Sequence, residues 1–170
     1  MHGSQWLATW LRRWLAKAVS GNARFFHLMV GNALQRTPPL GIIRDFVTDQ
    51  NGKIDLKNSG VALFVDAARI LALGEGVTNS GTTRRFRYAA ASRGIPETEV
   101  DAWIDAFHFI QSIRLAHQHE QSLARTPPDN LIKPSDLNKL DHRIFLESLR
   151  QARNLQKRIS DIYGIKGAAM

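Results

Sequence analysis

One long amphipathic segment, which begins after Pro96, limits most strongly what this chain can fold into. Up to about Arg125, apolar residues recur at steps of three and four, which predicts a helix of about 28 residues with a buried stripe. Pro96 suits the first turn of such a helix, and Glu97 suits the positive end of its dipole. A helix of this length needs other helices to cover its stripe, so the sequence predicts a helical bundle. The stripe comprises Trp103, Ile104, Phe107, Ile110, Ile113 and Leu115.

The rest of the chain also shows helical periodicity, interrupted by glycine and proline. Five further helices are predicted, and each begins at a polar residue that can cap a first turn. Pro38 and Pro39 stop the second helix, because proline lacks an N–H and clashes with the preceding turn. The predicted helices cover residues 4–18, 22–36, 58–73, 82–93 and 138–163, with Ser4, Asn22, Asn58 or Ser59, Thr82 and Asn138 at their starts.

One short segment has the character of a strand rather than a helix. Residues 46–48 and 53–56 flank the turn sequence Gln50-Asn51-Gly52. Asn-Gly between apolar alternations is a strong hairpin signal, so these two runs are predicted to pair with each other. A lone two-stranded ribbon is marginal in water, so it must pack on the helices. The predicted fold class is therefore all-α, a bundle of five to six helices with one small β-hairpin.

Positive charge is concentrated near the two ends of the chain, which has a net charge of +8 over 170 residues. Residues 1–40 contain arginine and lysine but no acid, and a second basic run covers residues 150–158. This balance suits an acidic partner such as nucleic acid, a nucleotide or an acidic domain. Two helices with basic faces toward solvent would explain the same pattern.

The composition also excludes some classes of function. The chain contains no cysteine, which rules out disulfides and thiolate metal sites and fits a cytoplasmic location. No apolar run approaches the ~20 residues of a membrane span. The basic, amphipathic N-terminus does not have the pattern of a secretory signal, so no membrane partner is expected.

Trp6, Trp10 and Trp14 share one face of the predicted N-terminal helix. That face is too apolar for a free surface, so it is expected to be covered by the rest of the chain or by another chain. A homodimer through these tryptophans is one way to cover it. The predicted domain plan is an N-terminal helix over residues 1–21 packed on the bundle, a helical domain over 22–164 and a frayed tail over 165–170.

The polar end of the long helix carries the most concentrated chemistry in the sequence. Arg114, His117 and Gln118 stack on one helix face, where their guanidinium, imidazole and amide suit a phosphate, a carboxylate or a base edge. A structural role is an equal alternative. In that interpretation Arg114 forms an ion pair with Asp105 or Asp129, and the hydrogen bonds of His117 are made within the core. The turn that contains Asp129 and Asn130 is predicted to be a structural clasp, because both side chains can bond to the backbone there. A contact with a ligand is the second interpretation.

The same region allows two more specific interpretations, a metal site and a ribonuclease site. His117 and His119 point about 200° apart on a helix, so they cannot share a metal ion and no metal site is expected. Arg114 and His119 also resemble the Arg-x4-His pattern of the helical ribonuclease domains of toxin–antitoxin systems. That resemblance implies RNA cleavage as an alternative function, with a histidine as acid/base and an arginine for phosphate, although Leu115 departs from the polar residue usual there.

Six short islands of sequence occur in one order that resembles a known family. Together they resemble the C-terminal substrate-binding domain of bacterial nucleotidyltransferase-like signalling proteins, which often carry a cyclic-nucleotide-binding-like domain and CBS domains as well. The resemblance covers roughly residues 20–160. The islands are residues 38–46, 55–57, 65–73, 82–86, 113–118 and 128–130.

The resemblance implies a helical bundle that follows a catalytic domain and binds its substrate or nucleotide. The family's catalytic half is recognised by a Gly-Ser motif with paired aspartates; Gly3-Ser4 has no such aspartates after it, so no catalytic residue is assigned. The implied partner is an N-terminal nucleotidyltransferase domain outside this sequence, and magnesium is expected only there. A purely structural docking module remains a further alternative.

The islands also supply candidate site residues. Because the family's substrate is poorly defined, these residues are candidates for a binding pocket or for its supports, and no cofactor is expected in this chain. The substrate-binding candidates are Arg69, Arg85, Arg114, His117 and Gln118. The supporting candidates are Arg44, Asp66, Asp129 and Asn130.

Overall fold

A computed structural model describes residues 5–41 and 45–165 of the chain. Over these residues it contains six α-helices and one two-stranded antiparallel sheet, which confirms the predicted fold class. A single turn of π-helix, Lys57–Val61, leads into the third helix, and a 3₁₀ turn, Pro134–Asp136, precedes the sixth. The helices are α1 Gln5–Val19, α2 Ala23–Leu34, α3 Ala62–Gly74, α4 Thr82–Arg93, α5 Glu97–Leu123 and α6 Lys139–Ile162, and the strands are β1 Ile54–Asp55 and β2 Leu131–Ile132.

The helix starts follow the capping chemistry in part. Asn22 caps α2 by accepting from the N–H of Phe25 at 3.0 Å, and Asn138 caps α6 by accepting two backbone N–H groups. Thr82 was wrongly predicted as a cap: Gly81 holds that position with an extended backbone, and Thr82 is the first helical residue. The predicted cap Ser4 lies outside the described residues.

The small sheet is composed differently from the predicted hairpin. Ile54 pairs with Ile132 and Asp55 with Leu131, whereas Phe46 forms an isolated bridge with Leu40. A turn does form at Asn51-Gly52, where Gly52 N–H donates to the carbonyl of Asp49 and Asp49 N–H donates to the carbonyl of Lys53, but residues 46–48 do not pair with residues 53–56 as strands. Pairing 54 with 132 buries both isoleucines beneath the helices, and a two-residue ribbon gains most of its stability from such burial.

The core is centred on α3 and α5, which are held between α4 and α6. Trp103 of α5 is fully buried and packs against Phe86 of α4, with ring centroids 5.5 Å apart. Phe64 of α3 lies against Phe107 of α5. Leu115, which was predicted in the buried stripe, is 60% exposed, because it sits to the side of the face that carries Trp103 and Phe107.

The tryptophan face of α1 is not covered by the rest of the chain. Trp6, Trp10 and Trp14 are 71%, 51% and 54% exposed. α1 packs on α3 through its other side, where Val19 is buried. Of the two expected ways to cover the tryptophans, burial within the chain is therefore wrong, and cover by another chain stays a prediction. Among the described helices, none combines the length and the apolarity that crossing a bilayer requires.

Candidate functional site

The buried stripe of α5 changes from apolar to polar along the helix. Trp103, Phe107 and Ile110 are followed at the same steps of three and four by Arg114, His117 and Gln121. The apolar half is covered by helices, whereas the polar half is covered by the loop that leads into β2. This change explains why the hydrogen-bonding side chains of α5 meet a turn rich in polar groups rather than another helix.

Arg114 and Gln118 hold the turn at Asn130. The Nε of Arg114 donates to Oδ1 of Asn130 at 2.8 Å, and Nε2 of Gln118 donates to the same oxygen at 3.2 Å. A further Arg114 nitrogen, Nη1, donates to Oε1 of Gln111 at 3.1 Å. The Asn130 carbonyl accepts from the N–H of Leu56 at 2.8 Å, which ties the turn to β1.

The side chain of Asp129 bonds both to the backbone of the turn and to α5. Its Oδ1 accepts from the N–H of Leu131 at 2.9 Å and lies 3.0 Å from Nε2 of His117. These two hydrogen bonds, the backbone one first, lower the pKa of Asp129 from 3.8 to about 2. The N–H of Asp129 donates to Oε1 of Gln121 at 2.9 Å. We call Arg114, His117, Gln118, Asp129 and Asn130 the α5 clasp.

The clasp brings together five of the sequence-based candidates, with partners that differ from those first considered. Arg114 pairs with neither Asp105 nor Asp129 but with the amide oxygen of Asn130, so no carboxylate among the described residues neutralises its charge. His119 is exposed and, by its position in the helix, points about 140° away from Arg114. The geometry therefore gives no support to a ribonuclease site that joins Arg114 and His119 within one chain.

A second polar group lies on α3 and α4. Asp66 accepts from Arg36 at 2.8 Å and from Arg69 at 3.2 Å, so one carboxylate serves two guanidinium groups. Arg85 is half-buried, and its Nε donates to the carbonyl of Asn79 at 2.9 Å. Burial, followed by the positive charges of Arg69 and Arg12, lowers the pKa of Arg85. We call Arg12, Arg36, Arg69 and Arg85 the arginine cluster.

The two groups are separate, because no hydrogen bond or ion pair between described side chains joins the clasp to the arginine cluster. Sequence reasoning identified Arg69 and Arg85 but missed Arg12 and Arg36. The sequence indicates the position of Arg12 only weakly, through the helix face that it shares with Val19. It gives no indication that Arg36 bonds to Asp66, because the two residues are 30 positions apart. Arg44, a supporting candidate, lies outside the described residues.

A cleft of about 620 Å³ opens beside the clasp, between α5, β2 and the start of α6. His117 is the one sequence-based candidate that lines it. Its charged lining is mixed, with two lysines, Lys53 and Lys133, and three acids, Glu120, Asp136 and Asp141. This cleft therefore does not select a single sign of charge, unlike the arginine cluster. Within residues 5–41 and 45–165, no three histidine, aspartate or glutamate side chains are grouped as metal ligands would be.

The described residues thus form an all-α bundle that carries two separate polar groups, the α5 clasp and the arginine cluster. A family model described as "Putative nucleotidyltransferase substrate binding domain" matches residues 23–163, which is most of the chain. The chain belongs to this family, and the resemblance found in the sequence is confirmed. No curated protein and no solved structure matches the chain.

Proposed function

We propose that this chain is the substrate-binding part of a nucleotidyltransferase that acts in cytoplasmic signal transduction, and that it binds a nucleotide or another acidic substrate. Family membership supports the general role, and the net charge of +8 supports an acidic ligand. In this proposal the catalytic aspartates and their magnesium belong to a nucleotidyltransferase domain outside this sequence, which is the main partner.

The observation that carries the proposal is the state of Arg85. This guanidinium is half-buried, uses one nitrogen on the carbonyl of Asn79, and forms no ion pair with any described carboxylate. The charged groups that lower its pKa, after burial, are themselves arginines, Arg69 and Arg12. An anion bound between Arg85 and Arg69 would neutralise this surplus, and a guanidinium fork matches the geometry of a phosphate.

The α5 clasp supports the site in a different way. The hydrogen bonds of His117 and Gln118 go to the turn, His117 to Asp129 and Gln118 to Asp129 and Asn130. These side chains therefore position the loop before β2. Arg114 is the member whose charge remains uncompensated by a described carboxylate, and we assign it a secondary contact with the substrate. The primary phosphate contacts in this proposal are Arg69 and Arg85.

Titration calorimetry with ATP, without added metal and at low ionic strength, tests the assignment. Replacing Arg85 by glutamine removes a half-buried cation from the site, so we expect Arg85→Gln to weaken ATP binding by about tenfold or more. The matched control is Arg84→Gln, which removes the same charge from the next residue of α4, where the side chain is exposed.

The two variants separate a specific site from general attraction to a basic protein. If Arg84→Gln weakens binding as much as Arg85→Gln, the ligand senses only net charge and the assigned site is wrong. If Arg85→Gln binds ATP as tightly as the wild type does, the assigned site is also wrong. Circular dichroism of both variants establishes that any loss of affinity is not a loss of fold.

A further inference from the structure

We propose that Arg12 of α1 completes the arginine cluster as a site for a polyphosphate, such as the chain of phosphates in a nucleoside diphosphate or triphosphate. This inference rests on the proposed function, because it names the substrate class of the same site. It also goes beyond the family assignment, since α1 precedes the matched residues 23–163.

The position of Arg12 follows from the way α1 packs. Arg12, Ala16 and Val19 are spaced four and three residues apart, so they share one side of the helix. Val19 is buried and Ala16 is half-buried, which identifies this side as the one facing the bundle. α1 packs on α3, the helix that carries Arg69. Arg12 therefore approaches the cluster from a third helix, on the side opposite the exposed tryptophans.

The charges around this point are unbalanced. The cluster contains four guanidinium groups, and Asp66 is the one described carboxylate bonded to any of them. Four cations and one carboxylate leave a net surplus of three positive charges, and Arg12 and Arg85 have no paired acid among the described residues. The charge of Arg12 acts on Arg85 in the direction that lowers the pKa of Arg85. A carboxylate or a single phosphate would compensate only part of this surplus. A chain of phosphates carries enough negative charge to compensate it fully.

The placement of the cations also suits an extended anion. Arg12, Arg69 and Arg85 belong to three different helices, α1, α3 and α4, and both α1 and α4 pack on α3. Guanidinium groups distributed in this way can each contact a different phosphate, with paired N–H donors to its oxygens. In this way α1 adds selectivity for phosphate chain length to a site at which Arg85 supplies most of the affinity for a phosphate.

The test compares inorganic tripolyphosphate with orthophosphate, using calorimetry on the full chain. We expect Arg12→Gln to weaken tripolyphosphate binding by about fivefold, because an exposed charge contributes at most about this much, and to leave orthophosphate binding nearly unchanged. Arg13→Gln is the matched control, since it removes the same charge from the next residue of α1. Arg12→Lys should recover part of the lost affinity.

Each outcome has a distinct meaning. If Arg85→Gln abolishes binding of both anions while Arg12→Gln binds tripolyphosphate like the wild type, the role of Arg12 is overturned and the proposed site stands. If Arg12→Gln weakens both anions equally, selectivity for phosphate chains is overturned. If neither variant alters binding, both the proposed site and this inference are overturned. Arg12 is exposed, so its replacement leaves the fold intact, which circular dichroism checks.

Discussion

At the scale of single residues, Asp129 shows how one short side chain can organise a loop. Its carboxylate accepts a backbone N–H of its own turn and lies within hydrogen-bonding distance of an imidazole on α5. The first bond fixes the turn, and the second fixes the turn to the helix. An aspartate is well suited to this position, because it can bond to the backbone two residues ahead.

The pKa of Asp129 predicts a pH dependence of stability. Because the pKa is lowered from 3.8 to about 2 in the folded chain, the ionised carboxylate stabilises the fold above about pH 4, and this contribution is lost as the pH falls through about 2. We expect the free energy of unfolding, measured with urea, to fall less across this window in Asp129→Asn than in the wild type. Asp105→Asn, which removes an exposed carboxylate of α5, should keep the wild-type dependence. The same slope in Asp129→Asn and the wild type would contradict the assignment.

Gly60 shows a different constraint, which is close approach rather than hydrogen bonding. A Cβ atom at Gly60 would lie 2.9 Å from Cγ2 of Ile110, so the π-helical turn before α3 can approach α5 only because this residue lacks a side chain. We expect Gly60→Ala to lower the free energy of unfolding by about 1–3 kcal/mol.

The control for this prediction is Gly31→Ala in α2, where a Cβ would meet nothing within 4 Å. Alanine is a better helix former than glycine, so this substitution should raise the free energy of unfolding by about 0.5–1 kcal/mol. Urea denaturation of the two variants beside the wild type measures both effects. Stabilisation by Gly60→Ala would show that the π-helical turn before α3 does not approach α5 as closely as described.

At the scale of elements, α1 is the helix with two unlike sides. One side, which carries Val19 and Arg12, packs on α3, while the opposite side presents Trp6, Trp10 and Trp14 to solvent. Three exposed tryptophans on one helix face form an apolar surface that is unfavourable in water. In a solution of the purified chain, another copy of the chain is the available cover.

We therefore expect the purified chain to self-associate through α1, and we expect Trp10→Glu to make it monomeric. Sedimentation velocity over a range of concentrations measures this. The control is Leu28→Glu, which replaces an exposed apolar residue of α2 by the same acid outside the tryptophan face and should leave the association unchanged.

Tryptophan fluorescence gives an independent measurement of the same prediction. The chain has four tryptophans, and the fourth, Trp103, is fully buried in the core. Quenching by acrylamide therefore reports mainly on α1. Self-association should protect the emission from quenching as the concentration rises. A wild-type chain that stays monomeric and fully quenched at every concentration would refute dimerisation through this face.

At the scale of the whole molecule, the chain separates mechanical and electrostatic roles. The α5 clasp holds the small sheet and the loop before it, and most of its polar atoms are already bonded within the chain. The arginine cluster, carried by α1, α3, α4 and the turn after α2, holds four cations, and Asp66 is the one described carboxylate that pairs with any of them. This division is why the strongest chemical pattern in the sequence, Arg114 to His119, is not the main proposed binding site.

Much of the fold could be predicted because its causes are local. Steps of three and four apolar residues, the prolines at 38 and 39, and the capping residue Asn138 each act within one or two turns of helix. The shared face of Arg114, His117 and Gln118 follows from the same periodicity. These features depend on the spacing of neighbouring residues, so the sequence was sufficient to determine them.

The remaining features depend on contacts between distant residues, and only the tertiary structure decided them. β1 pairs with a strand more than 70 residues away instead of its neighbour, because burying Ile54 and Ile132 together stabilises the ribbon more than the local turn does. The arginine cluster likewise forms only when α1, α2, α3 and α4 come together. The sequence alone determined a helical bundle with excess positive charge, whereas the packing of its helices decided where that charge is concentrated, since electrostatic interactions depend on distance in space.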